Sequence, residues 1–154
     1  MKLVSLALFL GTSFLAGGIG GLFTSSSVKT WFPELIKPAW NPPAALFGPV
    51  WTVLYILIAV SAWRVWQTGH FWGVPAIIFA VQLALNIGWS WLFFGQRRPD
   101  FALIEIVFLW LSILTMLIVF YRVDRTSGWL LLPYLLWVSF ASVLNFSIWT
   151  LNRH

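Results

Sequence analysis

The side chains of this chain that could do chemistry away from water are indoles, amides and phenols, and they recur at helical spacing. At 100° per residue, Gln82, Asn86, Trp89 and Phe93 share one face of a helix. Tyr134, Trp137, Ala141, Leu144, Asn145 and Ile148 share another, and Trp51, Tyr55, Ile58 and Ala62 a third. Each face offers a Trp and a polar handle, and Ala141 leaves space one turn beyond Trp137. A cavity walled in this way suits a flat, mostly apolar ligand with a few hydrogen-bonding edges. The competing account makes Gln82 and Asn86 structural hydrogen-bonding groups between helices and the tryptophans ordinary packing; two amides beside two large aromatics favour the pocket.

Other chemistry is constrained by what is missing. His70 and His154 lie outside the apolar stretches and Met116 is the one methionine inside them. A haem held by a protein axial ligand is therefore not expected, although a porphyrin can stack on tryptophan faces. The absence of cysteine removes disulfides, thiolate nucleophiles and thiolate metal sites. There is no Ser-His-Asp set at membrane depth, no pair of carboxylates for acid-base work and no glycine-rich phosphate loop. No catalytic residue, metal site or required cofactor follows from the residue pattern. Glu105 is the one acid within an apolar stretch, just over a turn inside it, and Arg97 or Arg98 is expected to pair with it at the interface.

The elements that must position these faces are membrane helices. The chain is 60% apolar and 19% aromatic but only 8% charged, far from the quarter charged residues of a soluble domain. Its net charge of +5 is scattered singly or in pairs between apolar runs, which argues against a nucleic-acid face. Five stretches of spanning length are predicted, at about 3–23, 45–66, 73–95, 101–121 and 128–150. The first could instead be a signal peptide cleaved after Ala16-Gly17-Gly18, but its apolar run continues to Phe23. Short later connections make successive helices antiparallel. The first connection, 24–44, is different: four prolines within 31–43 forbid a continuous helix, yet Trp31, Phe32, Leu35, Ile36 and Trp40 need cover. It is expected to fold as a lid over the mouth of the bundle. Four Lys or Arg on one side against five on the other leave the orientation open. Most remaining tryptophans sit at segment ends, as an aromatic belt requires. Along the third segment Ala76, Ala80, Ala84 and Gly88 form a smooth ridge suited to close helix contact, here read as a homodimer contact.

Four blocks in order carry a resemblance. They are Trp31-x3-Leu35-x-Lys37-Pro38-x-Trp40-x-Pro42-Pro43, then Trp51-Thr52-x-Leu54-Tyr55, then Gln82-Leu83-x2-Asn86-x2-Trp89 with Phe93-Phe94-Gly95, and finally Pro133-Tyr134-x2-Trp137-x2-Phe140-Ala141-x2-Leu144-Asn145. Together they resemble the translocator protein family, also called tryptophan-rich sensory proteins or peripheral-type benzodiazepine receptors, over nearly the whole chain. The resemblance implies a bacterial member in the cell envelope: an all-α, five-helix transmembrane bundle, often dimeric through the third helix. Its pocket would bind porphyrins such as protoporphyrin IX, or isoquinoline-carboxamide and benzodiazepine ligands, as a receptor, sensor or carrier. By position Trp51, Asn86, Trp89, Trp137, Ala141 and Leu144 would line that pocket, Phe32 would lie above and Tyr55 deeper. Trp51 and Trp137 match a pair implicated in light-dependent porphyrin breakdown, the enzymatic alternative; a lipid-filled structural partner of other membrane proteins is a third. The family's sterol pattern is broken, because Phe146 stands where it wants Tyr and the next Arg, Arg153, lies seven positions on. Phe32 stands where some relatives have Tyr.

Overall fold

The computed structural model describes residues 1–153. Among the described residues there are five long apolar helices, each long and apolar enough to cross a membrane. They are α1 (Lys2–Lys29), α2 (Ala44–Gln67), α3 (Val74–Ser90) with a wider π turn continuing it through Trp91–Gly95, α4 (Pro99–Val123), and a fifth span divided into α5 (Arg125–Leu130) and α6 (Leu132–Asn152). With no strand among the described residues, it is an all-α, multi-pass bundle with successive spans antiparallel.

Two boundaries differ from expectation, for local reasons. The first helix does not stop at Phe23 but runs to Lys29, so that the lid is shorter than 24–44. Its polar Thr24, Ser25 and Thr30 satisfy themselves by bonding back to carbonyls three or four residues earlier, while Ser27 Oγ donates to Phe94 O at 2.6 Å. Those hydroxyls read as loop in sequence and act as helix surface. The fifth span breaks at Leu131 because Pro133 supplies no amide to Trp129 O, and a tighter turn from Leu131 N to Gly128 O fills the gap. Asp124 starts α5 as its N-cap, accepting from Ser127 N and Oγ, and is held by Arg64 through two hydrogen bonds. Gly128 is needed there: a Cβ would lie 2.5 Å from that of Tyr121.

Between 30 and 43 the chain makes one 3-10 turn, Phe32–Glu34, and otherwise runs irregularly across the end of the bundle. Lys37 Nζ donates to the carbonyls of Phe32, Pro33 and Leu35, folding the segment round its own charge. Asn152 grips the backbone of Ile36 on both sides, accepting from its N–H at 2.9 Å and donating to its carbonyl at 2.8 Å. Phe32 is buried under this cover against Phe93 and Phe94. At the opposite end Ala62, Val65, Ile113, Met116 and Phe120 are completely buried and pack as one apolar core.

Candidate functional site

Beneath the lid the helices part around a cavity of about 280 Å³. Ten of the twelve ligand-binding candidates line it: Phe32, Trp51, Tyr55, Asn86, Trp89, Phe93, Trp137, Ala141, Leu144 and Asn145. Gln82 and Tyr134 do not. They lie one layer deeper, where burial forces them to satisfy each other. Tyr55 OH donates to Asn86 Oδ1, Asn86 Nδ2 donates to Tyr134 OH, Tyr134 OH donates to Gln82 Oε1, each at 2.9 Å, and Gln82 Nε2 donates to Phe79 O at 3.1 Å. This chain ties α2, α3 and α6 together and makes a rigid floor. Asn86 and Tyr55 show their edges to the cavity; Gln82 and Tyr134 only hold those edges in place.

The walls are aromatic. Trp89 stacks on Phe93 with centroids 5.0 Å apart, Trp51 leans on Tyr55 at 5.5 Å, and Trp137 packs against Phe47 and Phe140 at 5.9 and 5.4 Å. The four tryptophans away from the helix ends differ in how their indole N–H is used. Trp89 Nε1 donates to Asn145 Oδ1, whose Nδ2 donates on to Pro99 O, and Trp110 Nε1 donates to Ser139 Oγ outside the cavity. Trp51 and Trp137 have no such partner among the described residues, and both line the cavity. Among the described residues no charged side chain is part of the lining. The arrangement can stack a flat ring system on indole faces and offer it a fixed phenol-amide edge.

The wall that sequence reading left out comes from α1. Gly17, Gly20, Gly21 and Thr24 line the cavity, and Gly17 lies so near Tyr55 that a Cβ would come within 2.6 Å of its ring. The only signal was the Gly17 and Gly21 spacing, which marks close helix approach rather than a ligand.

Glu105 departs from expectation. Arg98 is taken by Asp100 at 2.7 Å, and neither carboxylate oxygen of Glu105 has a partner among the described residues. Its carboxylate instead covers Gly88, where a Cβ would sit 3.3 Å from Oε1. The supposed smooth ridge is therefore shorter: Ala80 and Ala84 are exposed, Ala76 is half-buried, and Gly88 makes room for α4. Among the described residues no group of three His, Cys, Asp or Glu could hold a metal.

Five spans around a capped aromatic cavity define an integral, multi-pass membrane protein with an intrahelical pocket. Residues 9–150 match the TspO/MBR family, and the chain belongs to that family of membrane sensor and receptor proteins. It is 43% identical to the tryptophan-rich protein TspO of Chlorobaculum tepidum, over 98% of each chain. To the tryptophan-rich sensory protein of Cereibacter sphaeroides it is 38% identical, over 95% of this chain and 92% of that one. The human translocator protein is 34% identical, over 88% of this chain and 82% of its own.

Proposed function

We propose that the cavity receives a tetrapyrrole such as protoporphyrin IX, or a flat isoquinoline-carboxamide or benzodiazepine-like molecule, and that the protein acts as a sensor or carrier for it. The observation that carries this reading is the pair Trp51 and Trp137: two indoles in one uncharged cavity, both without a hydrogen-bond partner among the described residues, above a floor whose polar groups are already paired. A flat ring gains stacking there, at about 0.5–1.5 kcal/mol for each aromatic contact beyond burial alone. Among the described residues no His, Cys or Met lines the cavity and the Tyr55 hydroxyl there is bonded to Asn86, so in this reading the tetrapyrrole is held by its faces and edges. Sterol is not part of this reading, since Phe146 is exposed on the outer surface and the motif is broken.

The same two indoles favour a second reading, light-dependent breakdown of the porphyrin, because an excited porphyrin beside an indole is a reactive pair. One experiment addresses both. Protoporphyrin IX is titrated into purified protein in the dark, following tryptophan fluorescence, and the complex is then illuminated. Saturable one-to-one quenching supports binding, and no quenching at micromolar porphyrin rejects it in favour of a lipid-filled structural role. A discrete product formed over many turnovers, and lost in both Trp51→Phe and Trp137→Phe, supports the enzyme; bleaching no faster than with free porphyrin rejects it. The homodimer belongs to the same proposal, with Ala80 and Ala84 of α3 as the contact, since these two small side chains remain exposed.

A further inference from the structure

We propose that the cavity is filled sideways from the bilayer, through a cleft between α1 and α2 framed by Gly21, Ala44 and Gly48, so that its ligands are molecules dissolved in the membrane. The inference deepens the binding reading above and rests on it. Among the described residues that line the cavity, only these three are exposed, and all are glycine or alanine on the two neighbouring helices.

The cleft exists because α1 and α2 close on each other only in the half away from the lid. There Trp63 Nε1 donates to Lys2 O and Ser5 Oγ, and Phe14 packs on Tyr55 with centroids 6.0 Å apart. Gly17 is the last tight contact, pressed onto the Tyr55 ring. Beyond it a Cβ added at Gly18, Gly21 or Gly48 would meet nothing within 4 Å. Leu22 and Phe23 of α1 and Ala44 to Phe47 of α2 are apolar beside the cleft, with the hydroxyls of Thr24 and Ser25 at its lid end, and both helices are long and apolar enough to span, so the cleft would open toward hydrocarbon.

Other routes are obstructed. The lid is tied to α6 by the paired hydrogen bonds of Asn152 to Ile36 and plugged by buried Phe32. Between α2 and α6 a shallow apolar groove approaches the cavity from the lipid side, but Trp137 and Phe140, packed on each other, form the partition between the two. The α1–α2 cleft is instead edged by Gly21, Ala44 and Gly48, with no aromatic partition of that kind between them. On the proposed route a flat molecule enters between Gly21 and Gly48, where an added Cβ meets nothing within 4 Å, and reaches Trp51 and Tyr55, which line the cavity.

The chain lacks cysteine, so introduced pairs can be bridged selectively. One variant, Gly21→Cys with Gly48→Cys, is joined by a reducible bis-thiosulfonate spanner; a second, Ile36→Cys with Asn152→Cys, locks the lid by a disulfide. In lipid nanodiscs, stopped-flow quenching by protoporphyrin IX gives association and dissociation rates. Bridging the helices should slow both rates at least tenfold relative to the same variant left unbridged, and reduction should restore them. Locking the lid should change neither rate by more than twofold. Gly21→Leu with Gly48→Leu, which meets no neighbour at Cβ, should reproduce the slowing without a cross-link. Unchanged rates with intact affinity, or slowing by the lid lock, overturn the lateral route alone. Absence of quenching in the unbridged protein overturns the binding reading beneath it.

Discussion

The two halves of this bundle use the same kinds of residue to opposite ends. Away from the lid, Val65, Ile113, Met116 and Phe120 have no exposed surface and α1 is clamped to α2 by Trp63. Toward the lid, larger aromatic rings stand apart around a cavity, two indole N–H groups lack partners, and α1 offers glycines. Between the halves runs the Tyr55-Asn86-Tyr134-Gln82 chain. The difference teaches that the far half supplies the rigidity which lets the lid half remain open. Without that clamp, hydrophobic side chains would collapse into the space.

The comparison can be broken first through stability. Met116→Ala in the closed half should cost about 2–5 kcal/mol, while Phe47→Ala, which already borders the cavity, should cost only about 1–2 kcal/mol. Denaturant or thermal unfolding in detergent checks this, and equal losses would erase the distinction. Next comes the boundary. Tyr134→Phe removes the hydroxyl that joins Asn86 to Gln82 and should cost about 1–3 kcal/mol by leaving both amides short of a partner. It should also loosen ligand binding without altering the walls.

Within the lid half, Ala141→Thr intrudes on the cavity beside Trp137 and should weaken porphyrin binding several-fold, by about 1 kcal/mol, while leaving unfolding within about 0.5 kcal/mol of wild type. Smaller still is the far-end ion pair. The Arg64 guanidinium hydrogen-bonded to Asp124 holds that carboxyl below the usual carboxylate range, with Ser127 adding to the effect. Stability from the lowered value is present above about pH 4 and fades as pH falls through the folded-state value. Because Arg64 is 38% exposed, solvent screening keeps the pair under about 1 kcal/mol. Comparing wild type with Asp124→Asn across pH 2–7 should show the acid-side difference shrinking. If the proposed dimer forms through α3, Ala84→Leu should shift the protein toward monomer on sizing in detergent, and an unaltered profile would remove the α3 contact.

How much of this was legible in sequence depends on what each residue announces. Five spans and the proline-rich cover could be read because apolar length and proline act locally. Helical spacing placed Trp51, Asn86, Trp89 and Trp137 on inward faces, but spacing has no depth scale. It could not tell that Gln82 and Tyr134 sit beneath the floor rather than in it. The α1 wall was invisible because glycine contributes by absence, and its meaning appears only when Tyr55 is seen against Gly17. Glu105 was paired with the wrong partner because Asp100 lies nearer to Arg98, and its true neighbour, Gly88, carries no charge to predict from.

The most direct measurement is a protoporphyrin IX titration of wild type, Trp137→Ala and Met116→Ala side by side, in one lipid at one pH. If the ligand seats in the lid half, wild type and Met116→Ala bind with Kd values within threefold of each other, while Trp137→Ala binds at least tenfold more weakly. Equal affinities in wild type and Trp137→Ala, with the loss in Met116→Ala instead, would contradict the account.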